Sequence, residues 1–294
     1  MPKPIATLDQ MIHSLRSNWP NWNDSGEYRD WNHRDTVSYS IFPIAVPFLG
    51  STAMTETMVN MARFAFEAWD DVIAIDLVEG GGDITFAHRD ANYSETSTDE
   101  EWVGTELTGA DIWISNNSPT YDDDSDYQFG TYAYFTYLHE IGHALGLTHP
   151  GDYNGGTPNF ADDAQWAQDT CKYTVMSYFN ADADGSGTDH IGVNDQRVYA
   201  STPLLYDIAA MHRIYGADMT TRTGDTTYGF NSNAGKTINA TYFDPYSFDA
   251  RPDAVFCIWD AGGIDTIDAG WFSNFQAPRR YQVGSLRSNL PATR

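Results

Sequence analysis

The sequence predicts an α+β protein, and three observations carry that expectation. Stretches with three- and four-residue apolar spacing occur along the chain together with short runs that alternate every second residue. Of 294 residues, 41% are apolar and 14% aromatic, enough to fill a sizeable core. Near residue 216 the pattern gives way to Gly-, Asp- and Thr-rich sequence with short apolar triplets, the composition of β turns and short strands. A boundary there divides the chain into residues 1–216 and 217–294.

Each element has a local reason. Thr7-Leu-Asp-Gln10 reads as a capping box opening a helix to about Leu15. Asn18 to Asp35, rich in Trp, Asn and Asp, reads as a loop with aromatic anchors. Val37 to Phe42 alternates as a strand. Met54, Met58, Met61, Ala65 and Trp69 mark one face of a helix over 53–69, and such a methionine stripe is read as core. Ile73–Val78 and Asp83–Phe86 read as strands split by Gly80-Gly-Gly82, and Ala110–Ser115 as another. Thr131 to Gly146 reads as a second long helix, with Tyr134, Leu138, Ile141 and Leu145 on its apolar side. Thr202-Pro203 suggests an N-cap followed by proline in the first turn, opening a helix that Gly216 ends.

Charge excludes several classes of partner. There are 16 bases against 41 acids, a net of -25. No basic stripe relieves this, so nucleic acid and anionic membrane surfaces are excluded as partners. Residues 271–294 hold four arginines and no acid, which leaves 12 bases against 41 acids, a net of -29, before them. The apolar run Ile41–Leu49 is short and carries Pro43 and Pro47, so it cannot span a bilayer. The first residues contain no apolar signal-peptide core. Two cysteines, Cys171 and Cys257, exclude a disulfide-stapled miniprotein, and both a disulfide and two free thiols stay open.

The strongest signal is His139-Glu-Ile-Gly-His143-Ala-Leu-Gly-Leu-Thr-His149. On a helix, His139 and His143 share a face and can hold one ion together. Glu140 sits about 100° round from His139, beside the ion without ligating it, where it can act as a general base. Gly146 can stop the helix and bring His149 in as third ligand. Three imidazoles leave one zinc position open, the pattern of a catalytic site. Downstream, Val175-Met176-Ser177-Tyr178 completes a metzincin pattern, a zinc helix followed by a methionine turn.

On these residues, and on Tyr137–Gly151, Pro150, Ser177-Tyr178 and Ser201–Ala210, the chain resembles the serralysins, bacterial secreted zinc endopeptidases related to astacins and matrixins. The resemblance runs from about Thr7 to about Asn274. It implies a metzincin catalytic domain, a twisted mixed sheet with long helices and zinc in the cleft, followed by a truncated β-rich calcium-binding domain. Met176 is then the turn methionine packed beneath the metal. Tyr178 is a zinc ligand in the resting enzyme and an oxyanion donor during reaction. Ala110, Asp111, Ile112 and Trp113 occupy the position of an edge strand that pairs with extended substrate. Backbone carbonyls of Arg222, Gly224, Thr226 and Gly262 and carboxylates of Asp260 and Asp265 match a calcium site. The implied cofactors are catalytic Zn2+ and structural Ca2+. The implied partners are protein or peptide substrates and a proteinaceous inhibitor, and the implied state is a secreted monomer.

Other clusters are read as structural. Asn180–Gly185 begins like an EF-hand loop, but Ile191 stands where a bidentate Glu is required, which excludes it. Asp122-Asp-Asp124 reads as a solvated loop, and His13, His33, His88, His190 and His212 as packing or surface residues. The G-G-x-G-x-D repeats typical of serralysins and a C-terminal export signal are not recognisable. The loss of acids after residue 270 suggests a truncation or frame change near residue 275, or a minimal enzyme. A catalytically inactive calcium-dependent binding protein on the same scaffold is the alternative reading, and the complete His139, Glu140, His143, His149 set argues against it.

Overall fold

The computed structural model describes residues 2–18, 28–31, 34–46, 50–90, 96–116 and 124–270. Its first helix, α1 (Leu8–Ser17), opens at Thr7, whose hydroxyl accepts the Gln10 amide while the Gln10 side chain accepts the Thr7 amide. The sequence-read capping box is therefore formed. At the other end of α1, Thr148 donates to the Leu15 carbonyl from its amide and to the Ser14 carbonyl from its hydroxyl. Two carbonyls of the last turn are thereby satisfied, and the segment leading to His149 is fixed against α1.

A twisted mixed sheet carries the first part of the chain. Its strands are β1 (Thr36–Phe42), β2 (Ser51–Thr52), β3 (Asp76–Glu79), β4 (Ile84–Arg89), β5 (Ser97–Val103) and β6 (Glu106–Ser115). The order is β3-β1-β4-β6-β5, with β2 pairing β4. Strands β1, β3, β4 and β6 are parallel, and β5 runs antiparallel to β6. The predicted strand from Ile73 begins only at Asp76; Ile73 instead forms an isolated bridge to Ala217.

Helices α2 (Glu56–Asp70) and α3 (Tyr132–Ala144) pack on the sheet and on each other. The methionine stripe of α2 lies in the core as expected, and Trp69 reaches from it to donate to the Leu138 carbonyl at 3.0 Å. Nearly all of α3 is buried. It ends in a closed turn: Gly146 N–H bonds the His143 carbonyl, and Leu147 N–H bonds the Gly142 carbonyl. Gly146 has φ +97°, and a Cβ there would lie 2.2 Å from the Arg29 carbonyl oxygen, so glycine is required twice over.

After the short α4 (Phe160–Asp163), helix α5 (Leu205–Tyr215) begins later than Thr202-Pro203 suggests. Its N-cap is Leu204, and the cap comes from inside the helix, where Asp207 accepts the Leu204 amide at 2.8 Å. Thr202 is occupied elsewhere, accepting the Cys257 amide at 2.9 Å. Gly216 ends α5 with φ +82°.

The remaining strands are short: β7 (Thr227–Gly229), β8 (Lys236–Ile238), β9 (Thr241–Phe243) and β10 (Thr266–Asp268), with β7 and β10 parallel and β8 and β9 antiparallel. This segment is bound to the sheet-and-helix body. Phe243 stacks on Phe64 of α2 at 4.1 Å. Arg222 pairs with Asp71 at 2.6 Å, both side chains buried, and Lys236 pairs with Glu67 and Asp71. Cys171 and Cys257 are free thiols, which settles the alternative left open above. Among the described residues no helix is long and apolar enough to cross a membrane.

The interior also holds a neutral imidazole. His88 is fully buried between Tyr137 of α3, whose hydroxyl donates to Nε2 at 2.5 Å, and Asn116, whose Oδ1 accepts from Nδ1 at 3.0 Å. Burial lowers its pKa to about 4, against the opposing Asn116 hydrogen bond. Between pH 4 and 6.5 the unfolded chain binds this proton and the folded chain does not, so stability falls as pH falls through that window. The loss amounts to about 3 kcal/mol. In urea unfolding of the metal-free protein from pH 7 to 4, the change in stability of His88→Gln should differ from that of wild type by about that amount, a difference that isolates this imidazole from the other titrating groups.

Candidate metal centre

The site is assembled from one helix and the turn that stops it. His139 and His143 come from adjacent turns of α3, and the bend at Gly146 returns the chain so that His149 meets them. The three Nε2 atoms form a triangle with sides of 3.1, 3.1 and 3.2 Å. Each Nδ1 donates to a backbone carbonyl: His139 to Val175 at 2.8 Å, His143 to Leu147 at 2.8 Å and His149 to Tyr153 at 2.7 Å. With the proton on Nδ1, every Nε2 presents a lone pair to the same point.

Burial keeps these rings neutral, lowering His139 to about 4, His149 to about 3 and His143 well below its usual value. Three converging lone pairs with no proton between them repel one another unless a cation lies there. Tetrahedral zinc at about 2.0–2.1 Å from each nitrogen would set them roughly 3.3–3.4 Å apart, close to the observed triangle. The donor set therefore fits zinc. Among the described residues this is the one cluster of three or more His, Cys, Asp or Glu side chains close enough to share an ion.

Glu140 follows His139 and is buried at 6% exposure. The Thr98 hydroxyl donates to its Oε2 at 2.7 Å. Burial raises the carboxyl to about 7 against that hydrogen bond. Thr98 lies on β5, a strand absent from the sequence-based reading. Ser97–Val103 is acidic and only partly buried, so it offers no clear apolar alternation.

This strand overturns the edge-strand expectation for Ala110, Asp111, Ile112 and Trp113. All four lie on β6, hydrogen-bonded to β4 on one side and β5 on the other. An internal strand has no free backbone groups for a substrate, and among the described residues the edge strand on the side of Glu140 is β5.

The methionine turn packs against α3. Met176 is fully buried, and its Sδ lies against Gly142, where an added Cβ would sit only 2.6 Å away. Gly142 thus lets the thioether reach the helix between His139 and His143. Tyr178 lies beside the histidines, its ring centroid 4.5 Å from that of His149 and 5.7 Å from that of His139. Its hydroxyl accepts from the Gly155 amide at 3.4 Å.

A residue missed by the sequence reading supports this turn. Asp207, fully buried on α5, accepts from the Thr174 hydroxyl at 2.5 Å, the Val175 amide at 2.8 Å and the Leu204 amide at 2.8 Å. Burial pushes its carboxyl up to about 7, against these three hydrogen bonds. Val175 is therefore held from behind while its carbonyl holds His139.

The two segments read as a calcium site also meet. The Ala261 amide bonds the Thr221 carbonyl, and the Thr266 amide bonds the Thr226 carbonyl. Asp265 Oδ1 accepts the Thr226 amide at 3.0 Å, and Asp260 accepts from the Gly262 amide and the Tyr228 hydroxyl. Gly263, at φ +121°, allows the close approach, since a Cβ there would lie 2.4 Å from the Gly224 carbonyl oxygen. Arg222, Gly224, Thr226, Asp260, Gly262 and Asp265 thus sit on two adjoining turns.

The weaker clusters have structural roles. Lys172 places its ammonium 2.7 Å from Asp184, a fixed charge within the EF-hand-like loop. Asp124 accepts from Thr55 at 2.6 Å, while Asp122, Asp123 and His33 lie outside the described residues. His13 contacts Tyr28, and His212 packs on Trp259.

The chain is similar to known metallopeptidases. Residues 30–155 match the matrixin family model, and residues 217–289 match the peptidase M10 serralysin C-terminal model. The metallopeptidase AprA of Pseudomonas marginalis is 34% identical over 98% of this chain and 61% of its own length. The metalloprotease AprA of Pseudomonas entomophila is 35% identical over 93% of this chain and 56% of its own. Serralysin B of Dickeya chrysanthemi is 33% identical over 98% and 60%. The chain thus spans about 60% of the length of these relatives. The C-terminal match reaches residue 289, past Asn274, so the change of charge after residue 270 does not coincide with a loss of resemblance. The segment 271–294 lies outside the described residues.

Asp207→Ala should leave two buried amides and a hydroxyl without their acceptor. Urea unfolding of the metal-free protein should register a loss of about 2–4 kcal/mol.

Proposed function

Because the chain belongs with the serralysin-type metalloproteases, we propose that it is a zinc-dependent endopeptidase that cuts extended or unfolded protein segments. The observation that carries this reading is the triangle of Nε2 atoms; Glu140, next after His139 on α3, is read as the neighbouring proton acceptor. Zinc held by His139, His143 and His149 supplies Lewis acidity, which acidifies water and polarises a carbonyl.

The chain's own residues perform the remaining work. Glu140 takes the proton of the attacking water and returns it to the departing amine nitrogen. Its hydrogen bond to Thr98 fixes Oε2, leaving Oε1 for that exchange. Tyr178 carries a phenol hydroxyl that can donate a hydrogen bond, and in this reading it would ligate zinc at rest and hydrogen-bond the oxyanion during reaction. Its place beside His149 and its 39% exposure support a side chain with room to move. An extended peptide adds to the open edge of β5, which explains a preference for segments without structure of their own.

Calcium completes the reading. The turns bearing Arg222, Gly224, Thr226, Asp260, Gly262 and Asp265 present carbonyl and carboxylate oxygens suited to a hard cation. The second unit, residues 217–294, is described as far as residue 270, and in this reading that described part is a calcium-stabilised β unit on the catalytic part, residues 1–216. Secretion, a monomeric state and recognition by a proteinaceous inhibitor belong to the same proposal. The inactive binding-protein alternative gains no support from a site whose ligands and base are all present.

Glu140→Ala should retain one zinc per chain while casein cleavage falls by about 100-fold or more. Unchanged cleavage removes Glu140 from the mechanism. Calcium should raise the melting temperature of the zinc-loaded protein relative to a calcium-selective chelator, and Asp260→Asn should shrink the difference. Equal melting in both conditions means that the turns hold no calcium.

A further inference from the structure

We propose that Asp169 and Tyr153 form a positioning pair that sets the third zinc ligand and the neighbouring Tyr178 together. The inference rests on the zinc site argued above and concerns residues that touch neither the metal nor the substrate.

Tyr153 meets the site in three ways. Its carbonyl accepts His149 Nδ1 at 2.7 Å. Its ring stacks on the His149 imidazole, 5.2 Å between centroids and 14° from parallel. The same ring lies 5.1 Å from that of Tyr178. One residue therefore fixes the tautomer, plane and rotation of His149 while forming a wall for Tyr178.

Such control requires the tyrosine itself to be immobile, and Asp169 supplies that. Its side chain is fully buried, and Oδ1 accepts the Tyr153 hydroxyl at 2.7 Å. Ser177, between Met176 and Tyr178, faces the same carboxylate. Asp169 thus joins the loop after His149 to the methionine turn. Gly151 makes room for the arrangement: a Cβ at that position would lie 2.7 Å from Tyr153 Cε1. Phe179 packs edge-on against the ring at 5.1 Å.

The test measures zinc affinity by competition with a chromogenic chelator for wild type, Tyr153→Phe, Asp169→Asn and the double variant. Tyr153→Phe keeps the ring and the carbonyl and removes only the hydroxyl. Each single change should weaken zinc by about 10-fold, the scale of outer ligand support, and the double should be no weaker than the weaker single. Affinities within twofold of wild type, or losses that multiply in the double variant, overturn the proposal. Melting of the metal-free forms is recorded alongside, and an affinity loss without a matching fall in metal-free stability distinguishes positioning from simple destabilisation. If the losses only follow that fall, the proposal is overturned as well. Zinc affinity is read without any peptide, so a chain that behaves this way yet cuts nothing refutes the peptidase reading and leaves the pair in place.

Discussion

Three imidazole lone pairs facing one point, 3.1–3.2 Å apart, are the constraint around which this molecule is arranged. Without a cation the arrangement is repulsive, and burial denies the rings the proton that could relieve it. It persists because each Nδ1 is committed to a carbonyl. Those carbonyls lie on three separate segments, at Leu147, Tyr153 and Val175. The fold must therefore hold three pieces of backbone to within a few tenths of an ångström.

Each piece has its own support. Leu147 is fixed by the closed turn at Gly146. The segment around Thr148 is tied to α1 through two carbonyls of its last turn. Val175 is held by Asp207, whose carboxylate also caps α5, so one buried side chain links the helix start to the methionine turn. Met176 then fills the space beneath α3 that Gly142 leaves empty. The end of α3 is closed by side chains as well: Trp31 donates to the Ala144 carbonyl at 2.9 Å and Tyr215 to the Leu145 carbonyl at 2.7 Å.

The segment after residue 216 contributes at a distance. Asp71 follows α2 directly and gathers Arg222, Lys236 and Thr221 around one carboxylate. The Arg222 guanidinium anchors the body while the same residue's carbonyl belongs to the proposed calcium turn. A buried ion pair of this kind contributes little net stability against hydrophobic packing, but losing one partner leaves the other charge stranded. It thereby fixes which part of the β segment faces α2.

The sequence alone determined the parts of the molecule that are local. His139, Glu140 and His143 follow from the helical repeat, and His149 from a glycine that can turn the chain back. The Thr7 cap, the α2 stripe and the Gly216 stop are equally legible, because each depends on residues three or four apart. What only the tertiary structure decided is non-local. Strand neighbours are chosen by backbone pairing across the sheet, so nothing within Ala110–Trp113 reveals that β5 covers their edge. The acidic Ser97–Val103 carries no apolar rhythm, yet it places Thr98 on Glu140. Asp169 and Asp207 look like ordinary acids in an acidic chain. They become supports for the metal site only because folding buries them against particular amides and hydroxyls, and burial is a property of the packed molecule that no local stretch of sequence contains.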